Sequence, residues 1–96
     1  MQELRRRRHE IERVASLHGA EGVRVFGSVA RGDAGSESDL DLLVDMKRRQ
    51  GLFEQASLRS DLEELLRCPV HLATKGGLRY AREHTRERIE QEARPL

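Results

Sequence analysis

The chain has 96 residues, 36% of them charged, and 18 Lys and Arg against 17 Asp and Glu leave a net charge of +1. That balance provides no overall field to select a nucleic acid or an acidic membrane. The longest apolar run, residues 42–44, falls far short of the roughly 20 apolar residues that a membrane-spanning helix needs.

Leu, Ile, Val and Phe make up 23 of the 96 residues, about 24%. This lies above the level of roughly 20% below which chains stay disordered, so a folded domain with a thin core is expected. The lone cysteine, Cys68, precludes an internal disulfide and fits a reducing compartment. No apolar stretch follows the N-terminal arginines, so no signal peptide is expected. A single domain over residues 1–96, located in the cytoplasm, is the expectation.

In chain order, residues 2–18 read as a helix, with Leu4, Ile11, Val14, Ala15 and Leu17 at helical spacing and Gly19 as the stop. Residues 23–26 alternate and are rich in valine, which predicts a short strand. Residues 27–38 carry repeated Gly and Ser and predict a turn, a brief helix and a loop. Residues 40–44 are the most apolar stretch and predict a buried strand. Leu58, Leu62, Leu65 and Leu66 mark an amphipathic helix that Pro69 terminates. Residues 70–74 predict a third strand, Gly76-Gly77 a break, and residues 78–93 a mostly charged helix with a sparse apolar stripe. The order α-β-α-β-α-β-α predicts an α/β (α+β) fold, a small β-sheet flanked by helices.

The chemistry concentrates in Gly27-Ser28, followed after ten residues by Asp39-Leu40-Asp41. Two residues apart on a strand, Asp39 and Asp41 project from one face while Leu40 and Leu42 take the other. Adjacent carboxylates repel, and a divalent cation relieves that repulsion. Mg²⁺ takes oxygen ligands of this kind and keeps positions for phosphate oxygens. Gly27-Ser28 stands where a strand ends and a short helix begins, so backbone N–H groups and the Ser28 hydroxyl can hold phosphate, with Gly27 permitting close approach. Together they suit nucleoside triphosphate chemistry.

Gly27-Ser28 ends the first strand and Asp39 and Asp41 begin the second. They can face one site only if those strands run antiparallel. A crossover helix makes the third strand parallel to the second, which brings His71 beside Asp39 and Asp41. A mixed sheet with the site at that end is therefore expected. A P-loop is excluded, because no Gly-Lys-Ser/Thr follows at the required spacing.

Phe26-Gly-Ser-Val-Ala-Arg-Gly-Asp33 together with Ser38-Asp-Leu-Asp-Leu-Leu-Val44 closely resembles the minimal nucleotidyltransferases of the DNA polymerase β superfamily, the antitoxins of HEPN/minimal-nucleotidyltransferase systems. The resemblance spans nearly the whole chain, to the closing Glu92-Ala93. It implies a polymerase-β-like nucleotidyltransferase fold, Mg²⁺ on Asp39 and Asp41, and ATP held by Gly27 and Ser28. Arg31 and Gly32 fall in the family's conserved turn, which adds Arg31 to the nucleotide-binding set. It further implies AMP transfer to a hydroxyl of a HEPN-type toxin partner. Two departures stand out: Val29 replaces a usual basic residue, and His71 replaces the usual third carboxylate. Imidazole favours Mn²⁺ over Mg²⁺ as a ligand and can serve as a neutral general base near pH 7. His71 thus joins Asp39 and Asp41 as an expected catalytic residue. The alternative is a catalytically weak nucleotide-binding antitoxin that neutralises its partner by binding.

Other features read as structural. Arg5 to Arg8 spread around a helix at about 100° per residue and form no single basic face, so nucleic-acid binding is not expected. His9 and His18 read as surface positions, and Cys68 as a small buried side chain. Asp45 shares the Asp39/Asp41 face but lies roughly 7 Å beyond Asp41 and is left out of the metal set. The weakly apolar last helix is read as either packing loosely or docking a partner.

Overall fold

The computed structural model describes residues 2–32, 39–47 and 51–96. Asp33 and the rest of the predicted loop up to Ser38 lie outside the described residues. The elements run α1 (Gln2–Arg6), α2 (Arg8–Leu17), β1 (Ala20–Phe26), α3 (Gly27–Arg31), β2 (Leu40–Met46), α4 (Leu52–Leu66), β3 (Val70–Thr74), α5 (Lys75–Leu78), α6 (Glu83–Glu92) and β4 (Arg94–Pro95). The sheet order is β3-β2-β1-β4, with β1 antiparallel to both β2 and β4 and β2 parallel to β3. This is the expected mixed sheet flanked by helices, with one additional edge strand.

Strand alternation divides the apolar residues between two faces. Val23 and Val25 of β1, Leu40, Leu42 and Val44 of β2, and Val70 of β3 join Ile11 and Ala15 of α2 and Leu58 and Leu62 of α4 in the larger core. Phe26 and Leu43 point the other way, against Leu78, Ile89 and Ala93, in a smaller cluster. Asp39, Asp41 and His71 share parity with this second, thinly covered face. No described helix is long and apolar enough to cross a membrane.

The structure departs from the sequence expectations at four places. The predicted helix over residues 2–18 is two helices, broken at Arg7, whose guanidinium donates to the Leu65 carbonyl at 2.9 Å and caps the end of α4. β1 starts three residues earlier than expected, because a register irregularity at Gly22 (φ +61°) absorbs the extra length. Gly76-Gly77 lies inside α5 rather than breaking the chain, since the Thr74 hydroxyl accepts the Gly77 N–H at 2.9 Å and caps that turn. The last predicted helix shortens to α6 and is followed by β4. α4 ends as expected before Pro69, with Arg67 in the left-handed region at φ +57°.

His18 is not a surface residue. Its side chain is 13% exposed and bridges two carboxylates of α4, Nδ1 to Glu54 Oε1 and Nε2 to Asp61 Oδ2 at 2.7 Å. A carboxylate only accepts, so both ring nitrogens must donate, which requires the imidazolium form. Burial opposes that charge, but the hydrogen bonds to Asp61 and Glu54 outweigh it and raise the His18 pKa above its ordinary value near 6.5.

Because the folded pKa is raised, the clamp contributes fully below pH 6.5 and is lost as pH rises through the folded-state value. The partner carboxylates are partly exposed, so His18→Gln should lower stability by about 1 kcal/mol in acid. That gap should close towards alkaline pH. Urea denaturation of both proteins across pH 5–9 checks this; a gap that widens with pH would contradict it.

Candidate active site at the end of the sheet

The site follows from register. Phe26 of β1 pairs with Asp41 of β2, and Asp41 pairs with His71 of β3. Neighbouring strands lie about 4.8 Å apart, so the end of β1 and the second residues of β2 and β3 stand in one row. Gly27 follows immediately on Phe26 and opens α3.

Gly27 is required here for two reasons. Its φ is +72°, and a Cβ at this position would meet Asp41 Oδ2 at 2.2 Å. The Asp41 carboxylate therefore occupies the space that any other residue would fill. On its other oxygen, Asp41 Oδ1 accepts from His71 Nδ1 at 3.1 Å. Because the ionised carboxylate only accepts, Nδ1 carries the proton, and in the neutral ring Nε2 keeps its lone pair. The imidazole is 68% exposed and meets the Phe26 ring edge-on, with centroids 6.4 Å apart.

A carboxylate from the C-terminal helix completes the turn. Glu92 Oε2 accepts the Gly27 N–H at 3.2 Å, and Glu92 Oε1 accepts from Arg31 Nη1 at 2.9 Å. Sequence reasoning missed Glu92. The charged last helix offered no local pattern that pointed to a residue 65 positions from its partner.

Asp41 thus lies against Gly27 and bonds His71, and Arg31 joins through Glu92. Ser28 sits half-buried at the second position of α3. Asp39 is exposed just ahead of β2, where the Leu40 N–H donates to the Pro69 carbonyl at 3.0 Å and fixes the start of the strand. Cys68 lies close enough to feel Asp39; burial pushes its thiol pKa up, and the Glu63 and Asp39 charges add to the effect. A thiol held protonated is a poor nucleophile, in agreement with the structural reading of Cys68.

Among the described residues, no three His, Cys, Asp or Glu side chains are gathered as a metal site. Asp41 lies on β2 and Asp39 just ahead of it, and carboxylate oxygens are the ligand type that a hard divalent cation takes. A groove of about 610 Å³ opens elsewhere, lined by residues such as Asp45, Thr74, Lys75 and Tyr80. Those residues end β2 and follow β3, so the groove lies at the opposite end of the strands from Asp41 and His71.

The profile of the family described as nucleotidyltransferase domain matches residues 8–96. This chain belongs to that family. A protein adenylyltransferase MntA from Thermococcus cleftensis is 40% identical over 78 aligned residues, which cover 73% of this chain and 79% of the relative. A solved structure assigned to the minimal nucleotidyltransferases superposes with a TM-score of 0.82 at 42% identity, covering 99% of this chain and 94% of the other. A crystal structure of a toxin–antitoxin with AMP-PNP shares the fold, with a TM-score of 0.74 at 19% identity over 91% of this chain and 69% of that one. The family and fold expected from the Gly-Ser and Asp-x-Asp elements are borne out.

The contact between residue 27 and Asp41 is open to direct test in this nucleotidyltransferase. Gly27→Ala should lose about 2 kcal/mol or more from the left-handed backbone and the displaced carboxylate together. Urea midpoints measure the loss, and a crystal structure should show Asp41 pushed away from His71. A variant as stable as the wild type with Asp41 unmoved would contradict the packing described.

Proposed function

We propose that this nucleotidyltransferase transfers AMP from ATP to a hydroxyl of a partner protein, a HEPN-type toxin, and so acts as its antitoxin in the cytoplasm. The observation that carries the proposal is the row formed by Gly27, Asp41 and His71, with Ser28 and Arg31 on the adjoining turn. The relative named a protein adenylyltransferase supports the choice of a protein acceptor. We take residues 1–96 as one minimal nucleotidyltransferase domain.

In this reading Gly27 makes the turn that presents Ser28, Ser28 donates its hydroxyl and backbone N–H to the β- and γ-phosphates, and Arg31 adds positive charge. Asp39 and Asp41 would hold Mg²⁺, or Mn²⁺. When bound, the cation offsets the charge of the triphosphate and of the two carboxylates. His71 receives the proton of the acceptor hydroxyl at Nε2, because Nδ1 is committed to Asp41. The acceptor oxygen forms a bond to the α-phosphorus as the bond to the pyrophosphate oxygen breaks. The imidazolium that results faces Asp41, which stabilises it as a neighbouring carboxylate does.

The second reading, an antitoxin that binds its partner without turnover, is favoured by one feature: an imidazole at position 71 in place of a carboxylate. Both readings are separated by incubating the protein with ATP, Mg²⁺ or Mn²⁺ and the product of the adjacent gene, followed by intact mass. The proposal expects AMP added to the partner, loss of transfer by at least 100-fold in Asp39→Asn/Asp41→Asn, and a fall of about 10²-fold in His71→Ala. Complete neutralisation by the double variant, with no AMP transferred by the wild type under either metal, would establish the binding-only reading instead.

A further inference from the structure

Glu92 ties the C-terminal helix to the turn on which the proposed function depends. Its side chain is 18% exposed, and its two oxygens reach different groups, the Gly27 N–H and the Arg31 guanidinium. We propose that Glu92 is a positioning residue for nucleotide transfer, holding the Gly27–Arg31 turn in the geometry that accepts the triphosphate. This inference rests on the nucleotidyl-transfer reading above.

Three observations point to positioning. First, α3 has five residues, too few to maintain its own geometry, because the first turn of a helix is costly to form. It must be held from outside. Val29 and Ala30 pack towards the larger core, and Glu92 grips both ends of the turn from the opposite side.

Second, Gly27 is fixed on two sides by carboxylates that do different work. Asp41 fills the space beside its Cα, and Glu92 takes its N–H. With that N–H engaged, phosphate contacts begin at Ser28, and their position is set by where Glu92 holds the preceding peptide.

Third, Glu92 is itself held. Ile89 and Ala93 on either side of it are buried with Phe26 and Leu43, and the chain then pairs with β1 through Arg94 and Pro95. The carboxylate is therefore presented by a packed element rather than by a free chain end. A carboxylate that merely occupied the phosphate position would compete with ATP. The two roles predict opposite changes in nucleotide affinity.

The test compares the wild type, Glu92→Gln and Glu92→Ala. Glutamine keeps the size and one oxygen for the Gly27 N–H but removes the charge that pairs with Arg31. Positioning predicts a KM for ATP raised about tenfold in Glu92→Ala, a smaller rise in Glu92→Gln, and kcat changed less than KM. Circular dichroism and thermal midpoints control for folding, since a purely structural role would lower the midpoint and leave KM unchanged in the folded protein.

Hydrogen exchange of the Gly27 amide without nucleotide provides a check independent of activity, and it should accelerate in both variants, more in Glu92→Ala. An unaltered KM in Glu92→Ala, tighter ATP binding in either variant, or an unchanged Gly27 exchange rate would each overturn the inference. Failure of the wild type to transfer AMP would instead count against the proposed function, and the Gly27 exchange result would still judge the Glu92 contact.

Discussion

The carboxylate of Asp41 lies in the space that a side chain on residue 27 would occupy, and the rest of the site is arranged around that contact. Only a residue without Cβ allows it, and only at positive φ does the chain turn from β1 into α3 at that point. With Oδ2 against Gly27, Oδ1 is directed to His71 on the neighbouring parallel strand. One side chain thus links three elements, and the register on both sides of β2 follows the same alignment. A shift by one residue in either pairing would turn His71 or Asp41 to the opposite face and dismantle the row.

The two faces of the sheet carry different burdens. The larger core lies under α2 and α4 and includes the fully buried Ile11, Leu42, Leu58 and Leu62. The site occupies the other face, where Phe26 and Leu43 pack against Leu78 of α5 and Ile89 of α6. Stability resides mainly on the first face, which leaves the second able to keep carboxylates and an exposed imidazole together without burying them. Asp41 is 24% exposed in its side chain, so its charge remains partly solvated. α6 then has two tasks: Ile89 closes the smaller core, and Glu92 extends from the same helix to the Gly27–Arg31 turn.

Much of this is legible in the sequence. β2 announced itself as the most apolar stretch and β3 as a short strand ahead of Gly76-Gly77, and the need for Gly27 and Asp41 to face one place required β1 and β2 to be antiparallel. The parallel crossover then brought His71 alongside, as the register bears out. The features that sequence did not reveal are all tertiary in origin. Helical periodicity runs straight through Arg7, where the two helices meet and the side chain bonds Leu65 on another helix. His18 looked solvent-facing because its two carboxylate partners lie 36 and 43 residues away. β4 is two residues long and contains a proline, so it carries no alternation to detect. Glu92 is one glutamate among many in a charged helix, distinguished only by what it touches. Periodicity reports which face a residue occupies; it is silent on the single long-range partner that gives a polar residue its role.

The proposed function places a metal-bound nucleotide at the row of Gly27, Asp41 and His71. Paramagnetic broadening of backbone amide resonances during titration with Mn²⁺ and ATP measures this most directly, because it falls steeply with distance from the ion. The account expects the strongest loss of signal at Ser28, Asp39, Asp41 and His71, with the groove near Thr74 and Tyr80 at the far end of the strands spared. Broadening centred on that groove, or spread evenly over the surface with residues 28, 41 and 71 intact, would contradict it.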